Sequence, residues 1–398
     1  MIEVTGPLAP FAEAFRVCLE RLGYAAQSQV GHLRLMADLS RWLVERGLDG
    51  SGLSLEVVAG FVLDRRAAGH RHARSVGSLR PLLECLREVG AAPAVTAPLV
   101  VGPVGRVLAD YASYLTRERG LVEVTIRRET DLVRPFLAAR VVGDVLGLDS
   151  LTAGEVIAFM LGRCGSASPA TVQRTGTALR SLLRFLHLRG VIDIASVGAV
   201  PTAANWKMVG LPKYLTPEQT RMLLDSCDAA TAVGQRDSAI LTLLARLGLR
   251  AGEVAALRLT DIDWHRGEIT VVGKGNRRER LPLPVDVGEA LVSYLRGSRP
   301  APTADREVFL GPRAPHRALT RGAVTQLVAR AARRCGLGTI YAHRLRHTAA
   351  TTMLHAGASL EEIGQVLRHR HALSTAGYAK VDREQLRALA RPWPGDLA

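Results

Sequence analysis

The N-terminal half of the chain writes one helical pattern twice, with an offset of 100 residues. Residues 78–90 align without a gap on residues 178–190, so that Leu79, Leu82, Leu83 and Leu86 match Leu179, Leu182, Leu183 and Leu186. This spacing lays apolar side chains along one face of an α-helix, and such a face has to be buried against a partner. Upstream, residues 53–65 parallel residues 151–163, and Asp38-Leu39-Ser40-Arg41 echoes Asp131-Leu132-Val133-Arg134. Ser54 and Thr152 stand where N-caps belong, and Gly90 and Gly190 where helices stop. Each unit therefore predicts a small bundle of about four helices, over roughly residues 10–92 and 105–192. The first reads as a diverged copy of the second.

A chain of 398 residues has room for two or three domains of the common size, about 100–200 residues each. Residues 193–213 are weakly periodic and hold Gly198, Pro201, Gly210 and Pro212, as a linker would. The expected division is 1–95, 105–195, a linker at 196–212, and 213–398. Beyond the linker, Thr216, Pro217 and Gln219 form a helix start with a capping box. The segment Asp237–Leu247 is apolar on most faces and predicts a buried helix. Residues 267–272 and 278–283 read as two strands of a hairpin around a Gly-Lys-Gly-Asn turn. From Thr320 onward the pattern is helical.

The net charge of +15 points to a polyanionic partner, nucleic acid first. With 48 arginines against four lysines, part of that excess reflects the arginine bias of a GC-rich genome. Its distribution is more telling. Residues 1–100 carry 11 basic and 10 acidic side chains, whereas residues 301–398 carry 15 and 7, so the net rises from +1 to +8. The five cysteines (Cys18, Cys85, Cys164, Cys227 and Cys335) are scattered and never in a Cys-x-x-Cys pair, which predicts isolated thiols in a reducing compartment. The N-terminus lacks the basic-then-apolar signature of a signal peptide, and the longest apolar stretch, residues 91–108, is broken by Pro93, Pro98 and Pro103. A cytoplasmic protein with no membrane partner is expected.

The last third holds a spaced series of polar residues: Arg250, Lys274, His343, Arg346, His369 and Tyr378. Arg250 lies in Leu-Gly-Leu-Arg-Ala-Gly-Glu, Lys274 in the hairpin turn, His343 and Arg346 in His-x-x-Arg, and Tyr378 nine residues after His369. Basic groups and one phenol suit the cleavage of a phosphodiester. A guanidinium forks onto two phosphate oxygens and stays charged at any working pH. A histidine exchanges protons near neutrality. A lysine on a flexible stem can protonate a leaving oxygen. His343 and His347 stand four apart, as metal ligands can, but the glutamate of a His-Glu-x-x-His pattern is missing and no metal is expected. The chain also lacks a phosphate loop and a carboxylate cluster fit for two metals, so no cofactor is expected either.

In order and spacing this series resembles the active site of the tyrosine recombinases, or phage-type integrases, over roughly residues 105–390. The resemblance implies a mainly α fold: two small SAM-like helical bundles ahead of a mostly helical catalytic domain with a small antiparallel β-sheet. Residues 105–192 resemble the core-binding domain of that family. Tyr378 is implied as the nucleophile that forms a 3′-phosphotyrosine. Arg250 and Arg346 are implied as clamps on the scissile phosphate, Lys274 as the donor to the leaving 5′-oxygen, and His343 and His369 as acid–base and phosphate-bonding groups. Glu253 and His347, with Asp261 beside them, are implied as supporting residues that orient their neighbours. Many relatives carry glycine where this chain has Arg368. The implied partners are double-stranded DNA, a homotetramer on two duplexes, and an accessory DNA-bending protein or second recombinase. Residues 382–390 form an amphipathic pattern suited to docking on a neighbouring protomer. The chain is expected to serve a mobile element, whether transposon, prophage or genomic island. The rival readings are a topoisomerase of the tyrosine type, which would relax supercoils as a monomer, and an architectural DNA-binding protein without chemistry.

Overall fold

The computed structural model describes residues 2–70, 75–93, 102–201, 213–273, 277–300 and 305–368, together with Thr375 and Tyr378. The chain divides into two compact units, one made of Met1–Ala94 with Met208–Ala398 and the other of Val95–Lys207.

The first unit begins with α1 (Ala12–Arg21), α2 (Ala26–Glu45), α3 (Leu55–Ala67) and α4 (Arg80–Glu88). They close over a core that includes Phe15, Leu19, Leu39, Leu43, Leu79, Leu83 and Leu86. Ser54 caps α3 by accepting the Val57 N–H, and Gly90 ends α4 at φ 72°. The packing also brings Cys18 and Cys85 together, and both are free thiols, as the sequence predicts. Burial, and then the neighbouring Cys18, push the Cys85 thiol up to about 12. This bundle meets the C-terminal part of its unit at Glu84, whose carboxylate accepts from Arg317 Nη2 at 2.6 Å. An exposed pair of this kind contributes about 0–1 kcal/mol.

The second unit contains α5 (Gly102–Arg117), α6 (Glu123–Ala138), a hairpin of β1 (Val141–Val142) and β2 (Val145–Leu146), then α7 (Ala153–Ser166), α8 (Pro169–Leu188) and α9 (Ile194–Gly198). Thr152 and Glu155 form a reciprocal capping box at α7. All eight leucines matched between the two repeats are buried, so the sequence parallel is also a parallel of packing. Each such side chain contributes about 1.5–3 kcal/mol by leaving water. The hairpin was not anticipated. Its strands are two residues long, too short to alternate visibly, although Gly143-Asp144 is a good two-residue turn. Past Gly190 the bundle continues: α9 packs on α7 and α8, and Val200 is buried.

The C-terminal part of the first unit is built from α10 (Pro217–Asp225), α11 (Ala232–Arg246) and α12 (Ala251–Ala255), then β3 (Ile262–Asp263), β4 (Glu268–Val272) and β5 (Arg278–Pro282). Helices α13 (Val285–Gly297), α14 (Arg321–Arg334), α15 (Ala342–His355) and α16 (Leu360–Val366) follow. The capping box expected at Thr216 and Gln219 is present. Helix α11 is the centre of this region. Ala239, Ile240, Leu241, Leu243 and Leu244 are inaccessible to solvent, and α10, α13 and α15 pack around them. An all-round apolar helix has nowhere else to go. Strands β3, β4 and β5 form an antiparallel sheet in that order, with Ile269 opposite Leu281 and Val272 opposite Arg278. Ile269 and Val271 alternate inward, as a half-buried strand requires. The expected hairpin is therefore present, joined by a short third strand at Ile262–Asp263. Among the described residues no helix is long and apolar enough to cross a membrane.

Candidate active site

Helix α11 ends in a turn that only glycine fits. Gly248 adopts φ 59°, and a β-carbon there would stand 2.6 Å from Leu367 Cδ2 and 3.3 Å from Ala349 Cβ. Left-handed backbone costs a β-carbon-bearing residue about 1–2 kcal/mol, and overpacking a filled site adds about 1–3 kcal/mol. Gly248→Ala is therefore expected to destabilise the fold by about 2–5 kcal/mol, and an unchanged urea midpoint would refute this account of the turn.

The turn sets Arg250 in extended backbone at the head of α12. Glu253, one helical turn further on, is buried and faces back. Its Oε2 accepts the Arg250 N–H at 2.8 Å and its Oε1 accepts Arg250 Nη1 at 2.6 Å. The carboxylate thus fixes both backbone and side chain of Arg250, whose side chain remains 41% exposed. Burial raises the Glu253 carboxyl, but Arg368 and Arg250 outweigh it and hold the group below its ordinary value.

Helix α15 carries His343, Arg346 and His347, whose spacing puts them on neighbouring positions of one face. Arg346 is only 2% exposed. Its Nη1 donates to the carbonyl of Gly248 at 2.6 Å, and its Nη2 donates to the carbonyl of Leu367. One guanidinium thereby ties the turn after α11 to the end of α16. Burial, with Arg250 close by, brings Arg346 down to about 10, still a cation at neutral pH. His347 Nδ1 lies 2.9 Å from the hydroxyl of Tyr378, and the His343 ring sits edge-on to His347 with centroids 4.2 Å apart.

Tyr378 is 3% exposed and packs on Ala350, Leu354, Ile363 and Leu367. Burial raises its phenol, while the cations of Arg346 and Arg250 pull the other way. Burial also lowers His343, helped by Arg346 and Arg250. His347 is brought down to about 4 by burial first, then by His343 and Arg346. An ordinary imidazole titrates near 6.5, so between that pH and about 4 the unfolded chain takes up a proton that the folded chain refuses. This contribution to stability is fully present above pH ~6.5 and is lost as the pH falls toward about 4, by up to about 3 kcal/mol. Replacing His347 with glutamine is expected to flatten that section of the stability–pH curve. An identical curve for the variant would exclude His347 as its source.

Of the six residues singled out in the sequence, the fold gathers Arg250, His343, Arg346 and Tyr378, with Glu253 and His347 among them. Lys274 and His369 lie outside the described residues; the flanks of the Lys274 turn are closed by a Gly273 N–H donating to the Arg277 carbonyl at 2.8 Å. Asp261 is occupied elsewhere, accepting the Arg258 N–H at 2.9 Å in a short capped turn. Two features escaped the sequence: the partnership of His347 with Tyr378, and the engagement of Arg368 with Glu253. Beside the histidines opens a cleft of about 350 Å³ lined by Lys213, Tyr341, His343, Arg344 and His347. Cationic and imidazole donors around a phenol suit an anionic, phosphate-bearing ligand.

The model of the phage integrase family matches residues 213–385. Over 395 residues, 98% of this chain and 96% of the relative, the sequence is 38% identical to y4rA of Sinorhizobium fredii (strain NBRC 101917 / NGR234), a candidate integrase/recombinase. It is 30% identical over 288 residues to the tyrosine recombinase XerD of Listeria monocytogenes serovar 1/2a, covering 71% of this chain and 96% of XerD. The fold resembles that of a lambda integrase tetramer bound to a Holliday junction, with a TM-score of 0.55 at 16% identity over 78% of this chain and 88% of that one. Together these likenesses show that the chain belongs to the phage integrase family, the tyrosine recombinases.

Proposed function

We propose that this protein is a site-specific DNA recombinase that cuts and rejoins strands through a covalent 3′-phosphotyrosine at Tyr378. The observation that carries the reading is the convergence of a phenol, two imidazoles and two guanidiniums from separate segments, with Tyr378 hydrogen-bonded to His347. The phenolic oxygen attacks the scissile phosphorus; the new bond is Tyr–O–P and the bond broken is P–O5′. The phenol is a weak nucleophile until its proton is drawn off. The 2.9 Å approach of His347 Nδ1 to the hydroxyl supports a role for this neutral imidazole in orienting the phenol and taking up its proton. Arg250 and Arg346 neutralise charge gathering on the non-bridging oxygens, as fixed donors do. Glu253 aims Arg250, and His343 and His369 bond the phosphate. Lys274, from the hairpin turn, protonates the departing 5′-oxygen. The phosphotyrosine keeps the energy of the broken bond, so rejoining by the 5′-hydroxyl needs neither nucleotide hydrolysis nor a divalent ion.

Residues 105–195 and 213–398 both bind the duplex, chiefly through phosphate contacts. A homotetramer on two duplexes is the working assembly, by analogy with the lambda integrase tetramer; the docking segment expected at residues 382–390 lies outside the described residues. A mobile element is the expected setting. The XerD match covers 71% of this chain, whereas the y4rA match covers 98% of it. The test is covalent trapping. Nicked duplexes from the DNA flanking the gene are incubated with the protein in the presence of a chelator, then denatured in detergent. A protein–DNA adduct is expected. Salt-sensitive binding with no adduct on any duplex would replace this reading with that of an architectural DNA-binding protein.

A further inference from the structure

The chemistry above leaves Arg368 without a role, yet its placement is costly. Its backbone is left-handed at φ 58°, a region that favours glycine. Its side chain turns inward rather than to solvent and is 3% exposed. There Nη2 donates to Glu253 Oε2 at 2.8 Å, and Nε lies 3.9 Å from the Glu279 carboxylate on β5. Nη1 donates to the Val366 carbonyl at 3.1 Å. Glycine would accept the same backbone without strain and without burying a charge. A buried charge has to be compensated by its partners, and the main partner here is the carboxylate that fixes Arg250.

Glu253 therefore joins two guanidiniums, one presented outward and one hidden behind it. The hidden one is adjacent in sequence to His369. It also reaches β5, the second arm of the hairpin whose turn contains Lys274. A guanidinium suits this position because its planar fork has donors for several acceptors at once, which an ammonium on a flexible stem lacks.

We propose that Arg368 is a positioning residue, which locks Glu253 in the orientation that aims Arg250 and ties the end of α16, beside β5, to the same carboxylate. The inference rests on the recombinase reading of the site. Its test compares wild-type protein with Arg368→Gly and Arg368→Lys. Three quantities are read: the rate of covalent adduct formation on nicked duplex, non-covalent binding of the same duplex, and the thermal midpoint. Arg368→Gly suits the backbone, so the variant is expected to fold. Misaimed catalytic groups typically cost about 10²-fold. Cleavage by Arg368→Gly is accordingly expected to slow about 10- to 100-fold, with binding within about twofold. Added guanidinium should occupy the vacated space and recover several-fold of the lost rate, whereas Arg368→Lys should remain slow. Arg368→Gly cleaving within twofold of wild type would overturn the proposal. So would slow cleavage that tracks a lowered thermal midpoint and is not rescued by guanidinium, since that is the mark of a purely structural residue. Wild-type protein that binds duplex but never forms an adduct would remove the recombinase reading, and this inference with it.

Discussion

Tyr378→Phe is expected to abolish the detergent-resistant adduct while leaving non-covalent DNA binding within about twofold. Phenylalanine keeps the ring against Ala350, Leu354, Ile363 and Leu367, so the pocket stays filled. What disappears is the hydroxyl 2.9 Å from His347 Nδ1, a loss of about 0.5–1.5 kcal/mol in stability at most. The kinetic loss is of another order. Deleting a nucleophile from an assembled site costs roughly 10⁴–10⁶-fold, which puts adduct formation below detection. Folding and chemistry therefore separate cleanly in this variant. An adduct that persisted would show that another tyrosine attacks. Tyr111 and Tyr294 are sealed in cores, so suspicion would pass to the exposed Tyr341, which lines the cleft beside His343.

Arg346→Ala is expected to fail twice. Its guanidinium bonds the carbonyls of Gly248 and Leu367 from a buried position, and removing it strands two buried acceptors. Each costs about 1–3 kcal/mol, so a loss of roughly 2–6 kcal/mol should appear in a urea titration. The cation also stabilises charge on the phosphate, and loss of one such donor slows the chemical step about 10²–10³-fold. The kinetic effect is to be measured at a temperature where the variant is fully folded. Arg346→Lys keeps the charge but cannot fork onto two carbonyls, so it should recover part of the rate and little of the stability. A stable Arg346→Ala variant would refute the structural half of the argument, and one that cleaved at the wild-type rate would refute the catalytic half.

Much of the helical framework was legible because a helix writes its burial locally. The repeated leucines at 79–86 and 179–186, the cap at Thr216 and the uniformly apolar Asp237–Leu247 each require knowledge of only one segment. The two-residue strands at 141–146 and 262–263 were not legible, because strands so short show no alternation and their pairing depends on the partner. The same division runs through the site. Residue types and their order already nominated Arg250, His343, Arg346 and Tyr378, since phosphate chemistry demands particular side chains wherever the chain places them. Contacts across long separations were beyond its reach. Gly248 and Arg346 are 98 residues apart, Glu253 and Arg368 are 115 apart, and His347 and Tyr378 are 31 apart. Cys18 and Cys85, scattered along the chain, meet in one core. Sequence alone determined which groups are available and which helices they ride on, because propensity and periodicity act over a few residues. Only the tertiary structure decided that Arg346 is buried under two carbonyls and that Arg368 turns inward to Glu253, because packing sets which distant segments share a donor and an acceptor.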